Sequence, residues 1–542
     1  MPKSRGADAF VASLAAAGIR RIFTLSGNHV MPVFDAAIDA NLELIHVRHE
    51  AAAVHMADAW ARLTGEVGVA LVTGGPGHAN AVGALYTAAM AESAVILFSG
   101  HAPHEELGKG AFQEMRQEDI AAPLCKASWT CASPDILASD VVKAIALARR
   151  GRPGPVHVSL PTDTLDGHAR TLEGHSSEGW NPAAEAERKI PAFDAVPFLS
   201  RLSSAKRPLI LAGPASCTKR GRERMARVEE STGVPVVCME SPRGVADPSL
   251  GAFAEVLAQA DCILLLGKRL DFTLKFGRMP AIAGGCEFLQ VDPEDDEIAR
   301  TRRAVGERLL HSAVANVFDA AQAFARQATR AKSGWGDEVR SAIEFRPAAW
   351  ESATSSLAQR LHPVQALRPM QALLDAHPES VFVSDGGEFG QWAQACLHAP
   401  HRLINGVAGA IGPALPFAIA ARLARPNAPV IAAMGDGTFG FHASEIDTAV
   451  RYVLPFLAVV GNDARWNAEH QIQIREYGAG RALGTDLAPT RYDEVARGFG
   501  GYGELVTDPR ALTESAKRAT ASGLPAVLNV MIEGIAAPSI KR

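Results

Sequence analysis

The chain alternates short, strongly apolar runs with longer helical stretches. In the first part the runs "RRIFTL", "LELIHV", "VGVALVT", "AVILFSG" and "PVHVSL" read as strands, with helices between them. The rhythm returns in "RPLILAG", "VPVVCM", "CILLLG" and "CEFLQVD", and again in "SVFVSDGG", "APVIAAMGDG", "PFLAVVGND" and "PAVLNVMI". Strand and helix in regular alternation predict an α/β protein of open parallel sheets. The three segments cover about 1–170, 190–330 and 360–542, and the first and third are close in length and strand rhythm. The polar stretch "DGHARTLEGHSSEGWNPAAEAERK" reads as a linker, and a charged helical connection over roughly 328–365 precedes the last segment. No solenoid-type repeat is visible.

Bulk properties narrow the field. At 542 residues the chain is too long for one core, and its length suits about three domains. It is 47% hydrophobic and 21% charged, with 54 basic and 59 acidic residues interspersed to a net charge of −5. That pattern argues against a nucleic-acid partner or a membrane-binding polybasic patch. The start, "MPKSRGADAFVASLAAAGIRRIF", reads as an amphipathic helix running into a strand, not as a signal peptide. No apolar run is long enough to span a bilayer. The seven cysteines (125, 131, 217, 238, 262, 286, 396) show no paired spacing, so they read as reduced core residues of a cytoplasmic protein.

The chemistry concentrates at strand ends, where parallel sheets bind ligands. The run "APVIAAM" ends at Gly435-Asp436-Gly437, and "PFLAVVG" ends at Asn462-Asp463. Glycines let a backbone approach a phosphate closely, and a helix N-terminus favours negative charge. Such features suit a diphosphate with its divalent cation, and Mg²⁺ takes hard oxygen ligands. Asp436 and an oxygen from the second cluster would supply the protein's share. The plain alternative for a lone Gly-Asp-Gly is a turn. In the first segment "IHVRHEAAAVHMADAWARLTG" places Glu50 where a strand meets a small-residue helix, and "TGGPGHANAV", residues 73–82, is a second glycine-rich turn.

Glu50 after "RH", the "GPG" turn, and Gly-Asp-Gly followed by an Asn-containing cluster, in this order, resemble the thiamine-diphosphate-dependent enzymes. The resemblance is to the acetolactate synthase, benzaldehyde lyase and 2-hydroxyacyl-CoA lyase branch, and it spans essentially the whole chain. It implies a pyrimidine-binding domain, a middle Rossmann-like domain and a diphosphate-binding domain. It also implies that Asp436 binds Mg²⁺. Where the family usually has "NN", this chain has Asn462-Asp463, so Asp463 takes the ligand position and Arg465 supplies the carbonyl, with Asn462 as the alternative ligand. Gly387 and Glu388 would add diphosphate contacts, with Gly75, Gly435, Gly437 and Thr438 lining the cofactor. Ile411 would hold the cofactor bent while the Gly409 carbonyl accepts from its amino group. Glu50 would protonate the pyrimidine ring, which makes the cofactor's own imino nitrogen basic enough to create the carbon nucleophile. The plain alternative for Glu50 is a carboxylate favoured at a helix start.

At the substrate end, benzaldehyde lyase also has a histidine at the position of His29, which could relay protons; the bland alternative is a loop histidine bonded to backbone. Gln113 matches a glutamine near the cofactor, with Gly27 and Asn28 on the same wall. In "WNAEHQIQIREYG" the match sets Ala468 and Glu469 over the thiazolium, where Glu469 could act as acid or base or repel an anionic substrate, with a solvent-facing side chain as the alternative; Trp466 reads as packing and His470 as inert. In the middle segment, "LLGKRLDFTLKFG" and "FLQVDPEDD" resemble a region that binds FAD in acetolactate synthases and an ADP or CoA nucleotide in the CoA-handling relatives. Arg269 and Asp292 are the residues for such a ligand, with Arg152 in support, and a domain without ligand is the alternative. The resemblance implies a homodimer at least, commonly a homotetramer. It leads to an acetolactate-synthase-like carboligase or lyase acting on 2-keto acids or acyloins. A benzaldehyde-lyase-like or 2-hydroxyacyl-CoA lyase or oxalyl-CoA decarboxylase-like reaction comes second. A non-catalytic dimeric homologue remains a third reading, against which Glu50 and Asp436 argue.

Overall fold

The computed structural model describes residues 5–169, 193–327 and 334–542. The expected linker lies almost wholly outside the described residues, as do residues 328–333 of the expected charged connection. The described residues form two compact units: those within Met1–Lys189 with Ile419–Ala424 and Asp447–Tyr452, and the remainder.

The first unit is built on a six-stranded parallel sheet. Its strands are β1 (Arg21–Thr24), β2 (Glu43–His46), β3 (Gly68–Val72), β4 (Val95–His101), β5 (Ser128–Thr130) and β6 (Val156–Pro161), in the order β2-β1-β3-β4-β6-β5. The central strands β3, β4 and β6 are buried along their whole length, as expected of a parallel sheet covered on both faces. The N-terminal helix Gly6–Ala16 packs on this sheet through Phe10, whose ring meets that of Phe98 edge-on at 4.8 Å. Such a pair adds about 0.5–1.5 kcal/mol beyond its buried area.

The second unit holds two sheets. The middle one is five-stranded, with β7 (Pro208–Ala212), β8 (Val236–Cys238), β9 (Cys262–Leu266), β10 (Glu287–Asp292) and β11 (Leu309–Val314), in the order β11-β10-β9-β7-β8. The C-terminal one is six-stranded, with β12 (Val381–Ser384), β13 (His401–Ile404), β14 (Val430–Gly435), β15 (Leu457–Asn462), β16 (Tyr502–Val506) and β17 (Ala526–Met531). Its order, β13-β12-β14-β15-β17-β16, repeats that of the first sheet strand for strand. All the pairings in the three sheets are parallel.

Four strands escape the apolar-run reading: β5, β11, β13 and β16. All four are sheet edges, and three of them are only partly buried along their length. An edge strand bonds on one side only and can carry polar residues, so its sequence lacks the continuous apolar run. All seven cysteines are free, and burial pushes the thiols of Cys125, Cys131, Cys262, Cys286 and Cys396 up to about 12. Among the described residues no helix is long and apolar enough to cross a membrane.

Candidate active site

In the C-terminal sheet the register of β14 and β15 sets Gly435 opposite Gly461. The chain therefore leaves two adjacent strand ends side by side, and Asp436 and Asp463 emerge next to each other. Asp436 is 1% exposed, and its Oδ2 has no hydrogen-bond partner among the described residues. Burial pushes its carboxyl up to about 6, against the pull of backbone N–H groups of Gly437, Arg465 and Ala464. Asp463 rises to about 7, through burial first and the charge of Asp436 second. A buried acid with an orphaned oxygen beside a half-buried one whose ionisation it disfavours fits a divalent cation between them.

These acids line a cavity of about 330 Å³, shared with Gly387, Glu388, Gly409, Ile411, Gly435, Gly437, Thr438, Arg465, Ala468 and Glu469. Bare backbone is a steric necessity here. A Cβ on Gly437 would lie 2.6 Å from the Trp466 ring, and one on Gly461 would lie 2.4 Å from the Phe389 ring. Trp466 thus packs over the Gly-Asp-Gly turn, and His470 is bonded through Nδ1 to Thr485 Oγ1 at 3.0 Å. Asn462 does not reach the cavity. Its Nδ2 donates to Thr490 O and Asn529 Oδ1, both at 3.0 Å, and its Oδ1 accepts from Ala464 N at 3.2 Å. With all its polar atoms used inside the sheet, it leaves Asp463 as the acid that faces Asp436.

The carboxyl of Glu388 is not free to face a phosphate. Its Oε2 accepts from the Ala537 N–H, and its Oε1 lies 3.7 Å from the Arg243 guanidinium. Burial raises it above the ordinary glutamate value, and Arg243 opposes that rise. Behind it, the buried Asp385 clamps the loop after β12 to the stretch after β13. Its carboxylate accepts from Gly386 N at 2.7 Å, Gly412 N at 3.0 Å and Ala414 N at 3.1 Å. Asn405 Nδ2 holds the Ala410 carbonyl at 2.9 Å, so Gly409 and Ile411 are presented by a braced turn.

The first unit assembles a second polar cluster at its own strand ends. Glu50 opens helix Glu50–Thr64, is nearly buried, and accepts from Asn80 Nδ2 at 3.0 Å. A Cβ on Gly77 would come within 3.3 Å of Glu50 Oε1 and 2.7 Å of Thr73 Cγ2. Thr73 Oγ1 in turn pairs with His29 Nδ1 at 3.1 Å. His29 is therefore bonded to a side chain, and it also bonds the Phe112 backbone. It also stacks on Phe112 at 6.0 Å, and burial, then His101, hold it below the usual histidine value. Gly75, with φ of +59°, gives its N–H to Gln117 Oε1 at 2.9 Å, and a Cβ there would lie 2.5 Å from the Gln113 carbonyl. Glu50, His29, Gly75 and Gln113 are thus gathered around one turn.

Comparison with known proteins now decides the family. The thiamine pyrophosphate enzyme models match three stretches: the N-terminal TPP binding domain at residues 4–120, the central domain at 197–317 and the C-terminal TPP binding domain at 385–530. The chain belongs to the thiamine pyrophosphate enzymes. Among its relatives, a probable acetolactate synthase of Mycobacterium bovis is 32% identical over 96% of this chain and 94% of that protein. Human 2-hydroxyacyl-CoA lyase 2 is 31% identical over 97% of this chain and 90% of its own length. A Rhodococcus jostii RHA1 thiamine diphosphate-dependent 4-hydroxybenzoylformate decarboxylase shares the fold, with a TM-score of 0.79 at 21% identity over 98% of this chain and 99% of that one.

Within this thiamine pyrophosphate enzyme, the residues expected for a nucleotide are occupied by protein. Arg152 is buried in an ion pair with Glu92. Arg269 pairs with Glu297 at 3.2 Å and Glu294 at 3.6 Å. Asp292 is fully buried and accepts from Glu294 N at 3.0 Å, at the start of helix Asp295–Val305. The sequence reading also passed over cavity residues: Pro242 and Arg243 from the loop after β8, Gln391 and Asn405. No motif marks Arg243, because it reaches the cavity from a different sheet. Asp385 carried a readable signal, an acid before glycines at a strand end, the same as Asp436.

Proposed function

We propose that the chain is a thiamine-diphosphate- and Mg²⁺-dependent enzyme that makes or breaks a C–C bond beside a carbonyl, acting on 2-keto acids or acyloins in the manner of an acetolactate synthase. The observation that carries this reading is the orphaned Oδ2 of buried Asp436, next to Asp463, in a glycine-walled cavity of a family member. Asp436, Asp463 and the Arg465 carbonyl would hold the cation, leaving its other positions to phosphate oxygens and water. When bound, thiamine diphosphate supplies a carbon nucleophile and an electron sink. Glu50, oriented by Asn80, would share a proton with the cofactor's pyrimidine ring. Ile411 would wedge the cofactor, and the Gly409 carbonyl would receive its amino group. His29, kept neutral by burial, takes and returns the proton of the substrate hydroxyl, with Gln113 beside the carbonyl. The bonded, buried state of His29 favours as second reading a benzaldehyde-lyase-like cleavage of hydroxy ketones.

The family resemblance implies a homodimer at least, in which Glu50 of one copy would serve the diphosphate-binding half of the other. In support, helix Pro76–Met90 exposes Ala79, Gly83 and Tyr86 beside Asn80. Seven free cysteines suit the reducing cytoplasm. The test is thermal stabilisation of the purified protein by thiamine diphosphate, expected only with Mg²⁺ present. Glu50→Gln should lose turnover while keeping cofactor affinity within about tenfold, about 1.4 kcal/mol. Stabilisation that ignores Mg²⁺, or a fully active Glu50→Gln enzyme, refutes the reading.

A further inference from the structure

The cofactor cavity carries one cation that the reading above does not use. Arg243 lines the cavity together with Pro242, Glu388 and Glu469. Its loop reaches the wall that presents Ile411, since a Cβ on Gly409 would lie 3.5 Å from Pro242 Cβ. The Arg243 side chain is 43% exposed and its guanidinium stands 3.7 Å from Glu388 Oε1, beyond hydrogen-bond distance. The guanidinium makes no hydrogen bond among the described residues. The other cavity arginine is committed: Arg465 Nε donates to Asp486 Oδ1 at 2.9 Å.

A guanidinium is a planar fork that matches a carboxylate with two parallel bonds. Arg243 therefore holds its donors unspent at the edge of the cavity, while Glu388 is fixed from behind by the Ala537 N–H. Glu388 and Glu469 give the same region two carboxylates, which repel an anionic substrate unless a cation meets it. We propose that Arg243 recognises the carboxylate of a 2-keto acid substrate, and that Glu388 competes with that carboxylate for the same guanidinium. The proposal rests on the thiamine-diphosphate reading and selects from it the anionic substrates over neutral acyloins and aldehydes.

The competition gives the two residues opposite signatures. In the holoenzyme with saturating thiamine diphosphate and Mg²⁺, Arg243→Gln should raise KM for pyruvate and benzoylformate roughly ten- to hundredfold, the loss of a charge-assisted pair. KM for uncharged benzaldehyde should stay within about twofold of wild type. Glu388→Gln, whose amide oxygen can still accept from Ala537, should lower KM for the keto acids several-fold. A merely structural role would move both variants in one direction. Calorimetric titration with oxamate, an unreactive carboxylate of the same shape, reads the site without turnover, and Arg243→Gln should weaken it as it weakens KM. The proposal is overturned if Arg243→Gln harms benzaldehyde as much as the keto acids, if both variants shift keto-acid KM alike, or if wild-type protein that is stabilised by cofactor and Mg²⁺ does not bind oxamate. Failure of that cofactor stabilisation would instead refute the enzyme reading itself.

Discussion

Asp463→Asn pulls apart two effects that one carboxylate exerts. In the protein without cation, burial and Asp436 raise Asp463 from the ordinary 3.8 to about 7. Each unit corresponds to about 1.4 kcal/mol, so ionising Asp463 in the fold costs on the order of 4 kcal/mol. A buried amide keeps part of the desolvation penalty, which leaves about 2 kcal/mol to be gained by the substitution. The sign follows from linkage: a carboxyl raised in the folded state contributes stability below its ordinary value and loses it as pH rises through about 7. The Asn variant escapes that loss. Without cofactor it should therefore melt above wild type at about pH 8, and the advantage should vanish below about pH 4. Towards Mg²⁺ the effect reverses, because a neutral oxygen replaces an anionic ligand, and affinity should fall at least about tenfold, about 1.4 kcal/mol. Scanning fluorimetry at both pH values, with thiamine diphosphate and a Mg²⁺ titration, measures both arms. A cofactor-free variant less stable than wild type at the higher pH, or an unchanged Mg²⁺ requirement, would refute the paired-acid site.

Asp385→Ala strips the acceptors from buried N–H groups of Gly386, Gly412 and Ala414, each costing about 1–3 kcal/mol when left unpaired. Chemical denaturation should show that loss, thiamine diphosphate should bind more weakly, and Asp385→Asn should be milder on both counts. Burial lowers His78 from 6.5 to about 4, with His101 adding to the effect, and holds the adjacent His157 far down as well. Stability contributed by a lowered histidine is complete above about 6.5 and is lost as pH falls through about 4, so melts over that window should slide downward and His78→Asn should remove up to about 3 kcal/mol of the slope. Inactive Glu50→Gln and Asp436→Asn chains, mixed and allowed to exchange subunits, should recover about a quarter of wild-type activity if each site draws on two copies, and none if a site lies within one chain.

The central strands and the two acid-bearing turns were legible in the sequence for one reason: buried parallel strands must be apolar throughout, so the polar residue that ends each of them stands out. The edge strands β5, β11, β13 and β16 were lost because that constraint relaxes where one side faces no neighbour. The choice between Asn462 and Asp463 was not legible either. Adjacent residues on a strand point to opposite faces, and only the pairing of Gly435 with Gly461 and the Asn529 partner fixes which one turns to the cavity. Arg152 and Asp292 misled in the opposite way. A basic or acidic residue near a glycine-rich turn reads as a ligand group, but their partners, Glu92 and the Glu294 N–H, are visible only in three dimensions.

The repeated strand order explains why the candidate site is written at both ends of a long chain. In each six-stranded sheet the chain runs from an inner strand to the edge and then returns to the other side of that inner strand: β1 to β2 to β3, and β12 to β13 to β14. The reversal opens a crevice at the carboxyl ends of the two flanking strands, the place where open α/β sheets take ligands. The loops there are equivalent. His29 follows β1 as Glu388 follows β12, Glu50 follows β2 as Ile411 follows β13, and the Gly75 turn follows β3 as Asp436 follows β14. Yet their chemistry has diverged. The C-terminal crevice gathers acids and bare backbone, which suit a cation and phosphates, while the N-terminal one gathers a carboxyl, a hydroxyl and a neutral histidine, which suit the nitrogens of an aromatic ring and the transfer of protons. Under the proposed function, a cofactor with an anionic tail and a heterocyclic head would draw on both kinds of crevice.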